Sequence, residues 1–272
     1  MNCYLWSVGK VSPQFNGISV SVNSQGKDDA DWLTSYAIEE YPEPHCWRLI
    51  KNVSDEKQEA VFSLHGVIVD KDLPPIVVAP THTKAYAFLR QQITLSGLNI
   101  PEFEDAVDKA RDIYNRFRRF FPEKQLLPWP ELKCIISEGR TLTLGNRYFT
   151  RRSEAPTLQP IPFERYVDPN RILAGCTNAQ LFHSADNTVN YYRRYKDENG
   201  ELVYVHDVVP PQNFRIGDIV DTQFCFVVYR MRTGEHTLRL MLYSITLVDG
   251  KLSDVSQSSS AFKNFTETTL GI

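Results

Sequence analysis

Apolar and polar residues alternate with two different periods along this 272-residue chain, and the switches between the periods outline its elements. Residues 14–22, QFNGISVSV, alternate in period two, with Ile18, Val20 and Val22 on one side of a predicted strand. Residues 28–41, DDADWLTSYAIEEY, carry an acidic first turn and stop at Pro42 and Pro44, which predicts a short helix. HCWRLIKN, EAVFSLHGVIVD (59–70) and IVVAP (76–80) read as three further strands. Two helices follow. The first, about 81–96, takes Thr81 or Thr83 as N-cap, places Ala85, Phe88, Leu89 and Ile93 among its apolar positions and has Gly97 past its end. The second, about 101–121, opens on Pro101 and ends at Pro122. Its apolar positions, Phe103, Ala106, Val107, Ala110, Ile113, Tyr114, Phe117 and Phe121, recur at helical spacing.

Beyond this point the pattern turns to strands. LKCII and TLTLGNRYFTRR predict a β pair. Residues 153–166, SEAPTLQPIPFERY, hold three prolines and little periodicity, which marks a linker or long surface connection and a candidate boundary. In DPNRIL, Asp168 is placed to cap a short helix. TVNYYRRY and ELVYVHDVV flank DENG, whose Asn-Gly is a hairpin signal. In IVDTQFCFVVYRM, Val220, Thr222, Phe224, Phe226 and Val228 fall on one face, and Asp221, Gln223, Cys225 and Tyr229 on the other. In the returning strand Leu238, Leu240 and Leu242 share a side, but Ile245 and Leu247 carry the apolar signal on the opposite parity, which predicts a bulge near Ser244. Strands that bend and change face are how small barrels close. The expected fold class is α+β. Residues 1–152 are expected to form a mixed sheet with two helices, and 163–250 an antiparallel β-rich region, barrel-like or a twisted sheet, either as separate units or around one shared core. Residues 251–272 form a Ser/Thr-rich tail expected to be mobile.

Composition narrows the function classes. A hydrophobic fraction of 42% beside a charged fraction of 23% excludes a disordered chain. The net charge of −3 excludes a globally basic nucleic-acid or membrane binder and leaves only local basic stripes to consider. The five cysteines, Cys3, Cys46, Cys134, Cys176 and Cys225, are odd in number and scattered, which fits reduced thiols in the cytoplasm or nucleus. MNCYLWSVGK lacks a cationic head followed by an apolar stretch, so no secretory leader is expected from it, and no apolar run approaches the ~18 residues of a membrane span, so no membrane partner is expected. The six histidines lack metal-ligand spacing, and CxxC and HExxH are missing. GxSxG and Gly-rich phosphate loops are missing as well. No catalytic residue, metal or cofactor is assigned.

Two stretches combine cations with aromatic rings. YNRFRRFF (114–121) places Arg116, Arg118 and Arg119 outside the apolar stripe of the second helix, as a solvated face or a docking face. NYYRRYK (190–196) puts Tyr191, Arg193 and Tyr195 on one side of a strand and Tyr192, Arg194 and Lys196 on the other. Rings and cations on one sheet face form the stacking and phosphate platform of single-stranded nucleic-acid binders, whereas Tyr/Arg pairs are also ordinary strand neighbours. Phe214, Arg215, Tyr229, Arg230 and Arg232 extend the platform. The residues named as the nucleic-acid site are Tyr191, Tyr192, Arg193, Arg194, Tyr229 and Arg230.

An ordered set of three pieces carries a family resemblance over roughly residues 165–250. They are N-T-V-x-Y-Y with a charged turn, FRIGDIVDTQ leading into a long strand, and a returning strand that ends SITLVDG. This stretch is similar to a large family of predicted proteins from mushroom-forming fungi. Its members look multicopy and variable, which implies association with mobile or fast-evolving genes and assigns no residue a role. G-D-I-V followed by a long alternating strand also resembles OB-type small barrels, which implies a ligand surface on the open barrel face. The function expected is a non-enzymatic binding protein with nucleic acid as ligand. The alternative is a protein–protein interaction module, or a homo-oligomer that pairs its β-edges.

Overall fold

The computed structural model describes residues 18–21, 32–53, 56–129, 132–133, 139–196 and 202–249. The longest period-two runs become the longest strands, because alternation lets one face bury while the other meets solvent or a second layer. Before the central helix these are β1 (Ile18–Ser21), β2 (Tyr36–Pro42), β3 (His45–Val53), β4 (Glu56–Asp72) and β5 (Arg90–Ser96). After it come β6 (Leu132–Lys133), β7 (Arg140–Arg147), β8 (Thr150–Arg151), β9 (Leu181–Phe182) and β10 (Asn190–Lys196). The chain then forms β11 (Leu202–Val208), β12 (Ile219–Arg230) and β13 (His236–Asp249). The helices are α1 (Thr83–Tyr86), α2 (Pro101–Phe120) and α3 (Ile172–Cys176).

Eleven strands share one mixed sheet in the order β11-β10-β13-β12-β3-β4-β5-β7-β6, with β1 on β4 and β2 on β3. Two extra pairings, β12 with β4 and β13 with β7, turn part of this sheet into a ring. Around it, β4 pairs β5, β5 pairs β7, β7 meets β13, β13 pairs β12, and β12 returns to β4. The ring is thinnest where β7 and β13 register in parallel at a single pair, Gly145 and Met241. Its interior takes Phe62, Leu64, Ile68, Ile93, Leu95, Leu142, Leu144, Val220, Phe224, Phe226, Leu240, Leu242 and Ile245, all buried in one cluster. Helix α2 adds Phe103, Ala106, Val107, Ala110, Ile113 and Phe117 to the same cluster. Burying each large side chain is worth about 1.5–3 kcal/mol, so this helix is held by its apolar stripe. Its approach needs a glycine: a Cβ on Gly97 would lie 2.2 Å from the Cβ of Phe103.

The predicted bulge is present. Gln223 faces Ser244 while Phe224 faces Leu242, so Tyr243 is the extra residue of β13. Its hydroxyl donates to Glu59 at 2.7 Å, within a group centred on the buried Arg48. Arg48 pairs with Glu59 at 2.9 Å and Asp186 at 3.0 Å. The capping aspartate is also present, although the helix starts later: Asp168 accepts from the backbone N–H of Leu173 at 3.1 Å and of Ala174 at 2.8 Å.

Several expectations are corrected. The helix expected over 81–96 is helical only at Thr83–Tyr86, and Arg90–Ser96 is strand β5. Gln91, Ile93 and Leu95 bury in period two, and β5 finds hydrogen-bonded neighbours on both sides in β4 and β7. Residues 76–80 are not a strand; Val77 and Val78 are 79% and 80% exposed. Over 28–41, Trp32–Ser35 form a single 3₁₀ turn and Tyr36 begins β2, while 28–31 lie outside the described residues. The barrel does not belong to the C-terminal region alone, because two long strands leave two open edges and β4, β5 and β7 complete the ring. Nor is that region wholly antiparallel, since β10 joins β13 in parallel. Of the two arrangements left open, the shared one is seen: β12 lies between β13 and the strands β3 and β4, and the parts before and after residue 153 share a sheet and a core. The DENG turn and the tail 251–272 lie outside the described residues.

Candidate binding groove

The strands of the thin seam carry outward-facing residues that wall a groove of about 370 Å³. Gln92 of β5, Thr143 and Gly145 of β7 and Met241 of β13 line it, with Trp129 beside them. Gly145 is required where β5 and β7 meet, because a Cβ there would come within 2.9 Å of the Gln91 carbonyl oxygen. The charged residues lining the groove are four arginines, Arg90, Arg147, Arg151 and Arg239, and one carboxylate, Glu154.

The positions of these arginines follow from register. Arg90 opens β5 and stands directly opposite Arg147 at the end of β7. Arg239 reaches the same place from β13. Partial burial and then the guanidiniums of Arg239 and Arg147 hold Arg90 below the ordinary arginine range. Glu154 engages Arg147 at 2.5 Å and Arg151 at 3.4 Å. Arg90 and Arg239 are exposed and have no carboxylate partner among the described residues. Aromatic rings sit among the cations. Arg147 lies over the Tyr229 ring at 5.7 Å, and Arg151 over the Phe88 ring at 5.9 Å. The Tyr229 hydroxyl donates to the Met241 sulfur at 3.3 Å, which fixes the ring, and burial pushes its pKa up. Phe88 is 67% exposed, and Trp129 stacks on Tyr114 of α2. The groove offers unneutralised guanidiniums for anions and ring faces for flat apolar groups.

The six residues expected to form the site do not meet in one place. Tyr191 is 0% exposed, packs on the equally buried Phe214 at 5.8 Å and donates its hydroxyl to the Gln91 side-chain carbonyl. Both rings are core, and as folded neither is accessible to a ligand. Arg194 is sequestered, because its guanidinium is 2.6 Å from Asp221 and both side chains are 8% exposed. Tyr192 is half-buried, and Arg193 is exposed opposite Asp207. Tyr229 lines the groove and Arg230 is exposed near its end of the hairpin. Tyr192 pairs with Thr246 of β13, and Tyr229 stands opposite Thr237. At about 3.3 Å per residue, these points on β13 are roughly 30 Å apart, so no single face joins them. On α2, Arg118 and Arg119 are exposed, while Arg116 donates to the Tyr36 carbonyl at 2.5 Å.

Sequence reasoning missed Arg90, Arg147, Arg151, Arg239 and Trp129. Arg147 and Arg151 stand in the run NRYFTRR, a signal of local positive charge. Arg90 was hidden inside the expected helix. The described residues contain no cluster of three or more His, Cys, Asp or Glu suited to a metal, and no helix among them is long and apolar enough to cross a membrane.

No protein-family model matches the chain, and no curated protein matches it. Among solved structures it matches gp2.5, a single-stranded DNA binding protein encoded by bacteriophage T7. The identity is 11%, the match covers 70% of this chain and 86% of that one, and the TM-score is 0.31. A likeness that low says nothing of this chain's fold or ligand.

Proposed function

We propose that the protein is a non-enzymatic binding protein that takes single-stranded nucleic acid along the groove over the β7–β13 seam. The observation that carries this reading is the collection of like charge. Arg90 stands opposite Arg147 with Arg239 alongside, and a single carboxylate answers four arginines. Like charges directly opposite on neighbouring strands destabilise a sheet, so a fold of net charge −3 gains nothing from gathering them unless an anion binds there. The neighbouring rings of Tyr229, Trp129 and Phe88 suit bases, which stack without regard to sequence. The ring order supports the same reading. In chain order the ring strands are β4, β5, β7, β12 and β13, and around the ring they run first, second, third, fifth, fourth. That is the order of an OB-type barrel, in which the second and third strands and the loops after the first and fourth hold oligonucleotides or oligosaccharides. Of the equivalent features here, β5, β7 and Ala87 at the end of the 73–89 connection line the groove.

The test is fluorescence anisotropy with labelled single- and double-stranded oligonucleotides across a salt series. With about three phosphates neutralised, log K falls with log salt at a slope of about −2 for a single strand, so binding weakens roughly 20-fold between 50 and 200 mM salt. Absence of binding at low salt overturns the proposal. It leaves a protein-interaction module, the reading favoured by β11, which ends the sheet order with one neighbour.

A further inference from the structure

The segment read as a linker or long surface connection is a long connection packed against its neighbours. Residues 152–171 contain no helix or strand, and ordered connections of that length are usually functional. This one is held in place. Phe163 stacks on His183 at 4.0 Å, the Ile161 N–H donates to the His183 carbonyl at 2.9 Å, and Arg152 donates to the Leu158 carbonyl at 2.8 Å. Together with α3 and β9 it lines an open cavity of about 850 Å³, within the size range of small-molecule sites.

The walls of the cavity are chemically one-sided. Arg152, Arg165 and Arg171 line it, with Asp168 the one carboxylate. Asp168 spends both oxygens on the backbone N–H groups that open α3. Arg165 and Arg171 are exposed and pair with no carboxylate among the described residues. Arg152 lies over the Phe182 ring at 3.8 Å. His183, 6% exposed, lines the same cavity. Its Nδ1 is 2.8 Å from the Tyr148 carbonyl. A carbonyl oxygen only accepts, so Nδ1 carries the proton and Nε2 is the lone-pair acceptor, which lies on the solvent-reached side of the ring. Guanidiniums suit an anion with several oxygens, and an acceptor nitrogen on the cavity wall suits a ligand O–H or N–H.

We propose that this cavity binds a phosphate monoester carrying a hydroxyl group, with Arg165 and Arg171 on the phosphoryl oxygens and His183 Nε2 accepting from the hydroxyl. The site is separate from the groove and stands whether or not the groove binds a strand. A phosphate monoester reaches it either as a free mononucleotide or as the 5′-phosphate end of a strand.

Calorimetric titration of the full chain tests this with inorganic phosphate, adenosine 5′-monophosphate, adenosine, and one oligonucleotide with and without a 5′-phosphate. The monophosphate binds, and adenosine binds at least tenfold more weakly. The double substitution Arg165→Ala with Arg171→Ala weakens the monophosphate at least tenfold and leaves the melting temperature unchanged, since both side chains are exposed. The proposal is overturned by equal binding of adenosine and its monophosphate. It is also overturned by a double variant that binds the monophosphate like the parent, or by no binding of phosphate, monophosphate or 5′-phosphorylated strand. Tighter binding of the 5′-phosphorylated strand than of its unphosphorylated form, lost in the double variant, upholds the site and assigns it to strand ends. Monophosphate binding without that preference upholds it for free mononucleotides.

Discussion

Replacing Arg90 by Gln should make the protein more stable and a poorer binder at once. Arg90 stands opposite Arg147 across the β5–β7 pair, and neither Arg90 nor Arg239 is neutralised by a carboxylate among the described residues. Opposed like charges cost a sheet roughly 0.2–1 kcal/mol. The groove is partly open to solvent, so salt screens the repulsion over about 10 Å at 0.1 M. A gain of about 0.5 kcal/mol follows, or about 1–2 °C in melting temperature for a chain of this size, shrinking as salt is added. The same change removes one phosphate contact. The slope of log K against log salt should fall by about 0.7, and affinity at low salt by roughly tenfold. Arg90→Lys, which keeps the charge, should change neither the melting temperature nor the slope. Thermal melts and anisotropy titrations of the three proteins, each at two salt concentrations, measure both effects. A Gln variant that melts below the parent refutes the claim that the arginines repel across the sheet. An unchanged salt slope refutes the claim that Arg90 meets phosphate.

Tyr191→Phe removes a buried hydroxyl and leaves the Gln91 side-chain carbonyl unpaired, so it should cost about 1–3 kcal/mol in urea unfolding. The folded variant should bind oligonucleotides like the parent, and a specific loss of affinity would return Tyr191 to the site. Burial pushes the His183 pKa below the ordinary histidine value. The unfolded chain therefore takes up this proton first as pH falls. Stability from His183 is complete above about pH 6.5 and is lost as pH drops from there toward the lower folded pKa. Melting temperatures should fall between about pH 7.5 and 5, and His183→Gln should flatten part of that fall. His65 and His236 shift in the same direction, so a melting temperature that stays level over this range would refute the reasoning for all three.

How much of this was legible in the chain depends on the range of the interactions involved. The stripe of α2 was readable because residues three and four apart share a helix face, and Phe103, Ala110 and Phe117 report their own burial. The bulge at Tyr243 was readable because the apolar parity changes within one strand. Asp168 could be recognised as a cap because its partners, Leu173 and Ala174, are a few residues away. The segment 90–96 was misread because Leu89 and Ile93 also fit a helical spacing. Only pairing on both sides with β4 and β7 makes it a strand.

The candidate site depends on tertiary structure even more. Alternation separated Tyr191 from Tyr192 but could not say which faced inward, because a tyrosine suits a core as well as a surface. Parallel pairing with Ile245 and Thr246 of β13 decided it, turning Tyr191 into the interior with Ile245. Arg147 and Arg151 share a local run, but Arg90 and Arg239 reach the groove from distant strands with no common pattern. Ring closure brings them together, and closure is a hydrogen-bonding choice between distant segments. Local sequence thus determined the elements, whose energetics lie within a few residues. Which faces bury and which charges meet was settled by the partner each strand edge found.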